Sequence, residues 1–150
     1  MLRTLRLQNY RCFRDHTVTF QTDTVIVGKN NAGKSTIVEA LHLLAAVVNR
    51  KASSFVSPPR MLELGKFQRG TAPKIAHLSI NLQTAFHRHG DPPAILTATF
   101  NGGAIVTIYV HKEGIDALVR SSQGTVITSN AFTNLNIPYI HILHQVGPLH

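Results

Sequence analysis

The stretch VIVGKNNAGKSTIVEAL, Val25–Leu41, decides how the chain is read. Within it GKNNAGKS, Gly28–Ser35, satisfies G-x-x-x-x-G-K-[ST], the spelling of a phosphate-binding loop. The context is the required one. Thr24 to Val27 is a short β-branched run suited to a strand buried on both faces. After the loop, Ile37, Leu41, Leu44 and Val48 fall at helical spacing, with Val38, Ala40, Leu43 and Val47 on neighbouring faces. That helix is apolar nearly all round and should be buried. A chance match to the motif in a chain of this size is expected roughly once in two hundred, given ordinary glycine and lysine usage.

The chemistry accounts for the spelling. A triphosphate needs donors on every side, and consecutive backbone N–H groups at a helix N-terminus form a nest of partial positive charge. Asn30, Asn31, Ala32 and Gly33 supply that backbone, and Gly33 permits close approach. Lys34 brings a compact cation to the β and γ phosphates, and the Ser35 hydroxyl can ligate Mg²⁺. Thr36 adds a donor near the α phosphate. ATP and Mg²⁺ are the expected ligands.

The rest of the chain bounds the function. Its 150 residues are enough for one core, and 43% of them are hydrophobic. Fifteen Lys and Arg against seven Asp and Glu give a formal charge of +8, so polyanions are plausible partners. The densest cationic set outside the loop is Arg50, Lys51, Arg60, Lys66 and Arg69, the candidate contacts to DNA phosphates. The lone cysteine, Cys12, can form no internal disulfide and fits a reducing cytoplasm. No apolar run has the length of a signal peptide core or a membrane span, so a cytoplasmic protein without membrane contact is expected.

Along the chain, Leu2 to Leu7 and His16 to Phe20 alternate as strands, with a turn expected around Arg14 and Asp15. Strands and the loop helix take up about residues 1–50, and the Ser- and Pro-rich ASSFVSPPR opens a mobile connection over about 51–74. An antiparallel meander is expected over about 75–128, with strands at Ile75–Leu82, Ile95–Phe100, Ala104–Val110, Ile115–Val119 and Thr125–Thr128. Asn101-Gly102-Gly103, Glu113-Gly114 and Gln123-Gly124 mark its turns. A final apolar run lies within about 137–147. His87 with His89, and His141 with His144, lack the carboxylate or cysteine that would complete a metal set.

The pattern LRLQNYRCFRDHTVTF followed by VIVGKNNAGKSTIVEALHLL resembles the amino terminus of RecF, SMC and OLD-type ATPases, which share an ABC-like head. Those proteins open with a strand, an N-[FY]-[RK] turn, a second strand and a loop similar to G-x-N-G-x-G-K-[ST]. The likeness is specific over about the first 45 residues, and the spelling GKNNAGKST leans toward the OLD-like branch. It implies an α/β fold: a P-loop NTPase, the first lobe of an ABC-like ATPase, with a mixed sheet, the loop helix and an antiparallel meander. Asn30, Gly33, Lys34, Ser35 and Thr36 match the family positions directly. Asn31 stands where many members have glycine, and asparagine tolerates a left-handed backbone better than most residues. Arg11 matches a basic residue that in relatives reaches the nucleotide phosphates, and Gln145, in HILHQVGPL, matches a glutamine that helps hold Mg²⁺ and water.

The same comparison shows what is missing. An apolar run ending in Asp, usually followed by Glu, is needed to hold Mg²⁺ and activate water, whereas Ile105–Val110 ends in His111 and Lys112. A signature resembling L-S-x-G is absent too, and seven scattered acids cannot build the carboxylate-rich nuclease of the OLD branch. The expectation is an ATP-binding lobe without competence for turnover on its own, with the remainder of the ATPase elsewhere. The implied parent acts in DNA repair, chromosome maintenance or defence against foreign DNA. Its partners would be a second lobe and a head that dimerises over two nucleotides. The alternatives are a small P-loop kinase, against which the long meander argues, and a basic nucleotide- or nucleic-acid-binding module without turnover.

Overall fold

The computed structural model describes residues 1–24, 26, 33–49 and 72–124. Its centre is a five-stranded sheet: β1 (Leu2–Tyr10), β2 (Phe13–Thr19), β3 (Ala94–Phe100), β4 (Ile105–Val110) and β5 (Ile115–Arg120). The order is β2-β1-β3-β4-β5, and every neighbouring pair is antiparallel. The amino-terminal hairpin thus continues the later meander, joined to it by the pairing of β1 with β3. The mixed sheet expected from the sequence is not what these strands form. Of the run Thr24 to Val27, expected as a strand buried on both faces, Val25 and Val27 lie outside the described residues.

Alternation in the strands sets the core face. Leu7, Leu96, Ile108 and Ala117 lie in register across β1, β3, β4 and β5, and Leu5, Ala98, Val106 and Val119 form the next row. All eight are buried. The helix α1 (Ser35–Val48) adds Ile37, Ala40, Leu43, Leu44, Val47 and Val48 to the same cluster. Apolar area removed from water drives this packing, at about 25 cal/mol per Å². No helix among the described residues is long and apolar enough to cross a membrane.

Two expectations are corrected. The turn of the first hairpin falls at Arg11 and Cys12, not at Arg14 and Asp15, which sit inside β2. Both faces of that edge strand are wet, so polar residues continue it, and Arg6 on β1 pairs with Asp15 at 2.7 Å. The strand expected over Ile75–Leu82 is replaced by short 3₁₀ turns at Ala76–Leu78 and Leu82–Thr84. The Asn81 side chain accepts from the Gln83 N–H at 3.0 Å, and Ser79 is left-handed at φ 53°. Such local side-chain bonds compete with a sheet ladder and here prevail. The meander itself runs where turn residues placed it. Gly103, at φ +85°, donates to the Phe100 carbonyl at 2.9 Å, and His111 N–H donates to Gly114 at 2.8 Å. Thr125–Thr128 and the run over 137–147 lie outside the described residues, as does the connection over 51–74 except for its last residues.

Candidate phosphate site

The site is organised by the start of α1. Lys34 caps the N-terminus of α1 in the right-handed helical region, at φ −57° and ψ −49°. Gly33 takes φ +84°, a conformation that a side chain would strain. Ser35 follows at the first helical position with its side chain exposed, and Thr36 is half-buried. The first turn holds no acidic residue, so nothing there opposes an anion at the helix N-terminus. An exposed hydroxyl, a left-handed glycine and an unopposed helix end fit a magnesium-bound phosphate chain.

The tip of the β1–β2 hairpin closes one side. A Cβ built on Gly33 would overlap the Phe13 ring and stand 3.3 Å from Cys12 Sγ. Cys12 Sγ itself lies 3.8 Å from Thr36 Oγ1.

Asn9, Tyr10 and Arg11, which lead into that tip, are all tied to other elements. Asn9, left-handed at φ 53°, donates through Nδ2 to the Asp91 carbonyl at 2.8 Å and the Pro93 carbonyl at 3.1 Å. Tyr10, fully buried, donates its hydroxyl to the Glu39 carboxylate on α1. Burial and the neighbouring carboxylate push the phenol far above its ordinary range, so it stays a donor.

Arg11 grips Glu39 with two bonds, Nε to Oε1 at 2.6 Å and Nη2 to Oε2 at 3.1 Å. Its Nη1 reaches the Thr84 carbonyl and hydroxyl, each at 3.3 Å, and Nη2 also reaches the Asn81 carbonyl at 3.2 Å. Burial lowers the guanidinium pKa and the carboxylate more than offsets it, so the net direction is upward. All three guanidinium nitrogens are therefore engaged by protein acceptors. His87 Nδ1 donates to the Arg11 carbonyl at 2.8 Å, and the Arg11 N–H donates to Ala85 at the same distance.

Of the residues singled out in the sequence, Arg11, Gly33, Lys34, Ser35 and Thr36 are described and gather around this helix start. Asn30, Asn31, Ala32 and Gln145 lie outside the described residues, as do Arg50, Lys51, Arg60, Lys66 and Arg69. Glu39 is not among those singled out, although it is the one acidic residue in STIVEALHLLAAVV. An open cleft of about 370 Å³, lined by His42, Ala46, Lys74 and His77 among others, lies along the other half of α1 and does not include Gly33–Thr36.

The chain is 43% identical over 53 residues to the DNA replication and repair protein RecF of Synechococcus sp. (strain JA-2-3B'a(2-13)), covering 35% of this chain and 14% of that one. RecF of Thermomicrobium roseum is 39% identical over 54 residues, with the same coverage. The OLD nuclease of Thermus scotoductus is 40% identical over 58 residues, 39% of this chain and 11% of the nuclease. The matched stretch thus spans about a seventh or less of each relative. A family model described as an AAA ATPase domain matches residues 1–121, most of the chain, and the protein belongs to that family of ATPase domains, with RecF and the OLD nuclease as relatives.

Proposed function

We propose that the chain is the amino-terminal ATP-binding lobe of an ABC-like P-loop ATPase of the RecF and OLD type, serving DNA repair, chromosome maintenance or defence against foreign DNA. The observation that carries this is the closure of the hairpin tip on the start of α1, where Phe13 underlies Gly33, Cys12 meets Thr36 and Ser35 stands open to solvent. The nucleotide set is Asn30, Asn31, Ala32, Gly33, Lys34, Ser35 and Thr36, with Arg11 anchoring the wall. Lys34 holds the β and γ phosphates. Mg²⁺, taken up by Ser35 with Gln145 as a further ligand, neutralises phosphate charge.

In this reading the five-stranded antiparallel sheet is the outer part of a mixed P-loop fold, and the helix N-terminus orients the triphosphate. A second lobe, a dimerising head and DNA are the partners, and the cytoplasm is the compartment. Turnover belongs to the assembled ATPase, since Ile105–Val110 leads into His111 and Lys112 rather than an acidic pair.

Titration with Mg·ATP, followed by phosphate release, tests the proposal. Saturable binding with release no faster than background is expected of the chain alone. Multiple turnover abolished by Lys34→Ala would show a complete enzyme instead, and no saturable binding would refute the nucleotide site.

A further inference from the structure

We infer that Glu39 is a positioning residue for the phosphate site, acting through Arg11 to clamp the β1–β2 tip as the wall formed by Cys12 and Phe13. The inference rests on the nucleotide reading above and adds the part that holds its geometry.

Glu39 follows Ser35 by four residues and Thr36 by three, so the three side chains share a face of α1, with Glu39 one turn deeper. Its side chain is only 23% exposed. A carboxylate drawn partly out of water costs free energy unless it is paired and hydrogen-bonded. Here it accepts from the Tyr10 hydroxyl and from Nε and Nη2 of Arg11. A buried pair of this kind is weak evidence of stability, because apolar packing serves as well; what it supplies is a fixed geometry.

That geometry is needed at the tip. Arg11 has φ 51°, uncommon for a residue with a side chain. It is held there from the side chain by Glu39, Thr84 and Asn81, and from the backbone by Ala85 and His87. The next two residues are those that touch Thr36 and underlie Gly33. Freeing the guanidinium lets the tip relax away from the helix start, and the wall goes with it.

Cys12, the one cysteine in the chain and exposed at the tip, reports the wall directly. The full chain is labelled with a maleimide, with and without Mg·ATP, in the wild type, Glu39→Gln and Arg11→Lys, at nucleotide concentrations giving equal occupancy. In the wild type bound Mg·ATP should slow labelling severalfold. Glu39→Gln keeps the shape and loses the charge, and should weaken Mg·ATP by about tenfold, the scale of a charge-assisted hydrogen bond. At matched occupancy its protection should be gone, and Arg11→Lys, which keeps the charge and loses the fork, should behave alike. Circular dichroism separates these effects from unfolding. Protection that persists in either variant at matched occupancy, or is absent from a wild type that binds, overturns the inference alone. A wild type that binds no Mg·ATP overturns the nucleotide reading and this inference with it.

Discussion

The ring of Phe13 fills the space in which a side chain on Gly33 would have to stand, so the tip of the first hairpin and the start of α1 fit only while residue 33 has no Cβ. Gly33→Ala should therefore cost roughly 2–5 kcal/mol, summing the left-handed backbone at φ +84° and the overpacking against the ring. Combining it with Phe13→Ala should recover the overpacking part, a non-additivity visible in urea unfolding of the four proteins of the cycle. Additive losses would mean that the ring and the glycine do not meet.

How much of this was legible in the sequence depended on the kind of signal. The motif at Gly28–Ser35 and the helix after it could be read from spacing, because an apolar face at period 3.6 has few other uses. The strands β3, β4 and β5 were readable because Asn101-Gly102-Gly103 and Glu113-Gly114 punctuate them. The first hairpin misled because its tip lacks glycine: Asn9 and Arg11 adopt positive φ on the strength of tertiary bonds, which no local propensity announces. Arg14 and Asp15 look like a turn and are an exposed edge strand. Ile75, Leu78, Ile80 and Leu82 look like a strand, but the Asn81 turn breaks it and presents the Asn81 carbonyl to Arg11. Glu39 lies beyond the motif, and its partners come from residues 28 and 29 positions away in the chain.

A buried acid in β5 gives a dependence on pH. Asp116, in β5 with its side chain 10% exposed, has Oδ2 3.2 Å from His111 Nε2. Burial raises its pKa above the ordinary value of 3.8, and the histidine opposes that only in part. A raised carboxyl stabilises the fold fully below its ordinary value and loses that contribution as pH climbs through the folded one. As pH rises from about 4, thermal melts should show the wild type losing ground to Asp116→Asn, whose amide does not ionise. A wild type that gains on the variant as pH rises would contradict the assignment.

The formal charge of +8 predicts how DNA would be bound. Binding should be independent of sequence and fall steeply with salt, because it rests on phosphate contacts and counterion release. Neutralising Arg50, Lys51, Arg60, Lys66 and Arg69 together should flatten the plot of log affinity against log salt by about 0.9 for each duplex phosphate that the protein ceases to neutralise. Affinity that ignores salt, or an unaltered slope in the fivefold variant, would return these residues to a solvated surface.

If the helix start at Gly33–Thr36 grips a nucleotide's phosphates, equilibrium titration of the chain with Mg·ATP beside Lys34→Ala should reveal it. Saturable binding by the wild type and loss of most of it in the variant are expected, because Lys34 would supply the compact cation for the β and γ phosphates. Circular dichroism should be unchanged between the two. Equal affinity in the wild type and in a folded Lys34→Ala protein would contradict the claim.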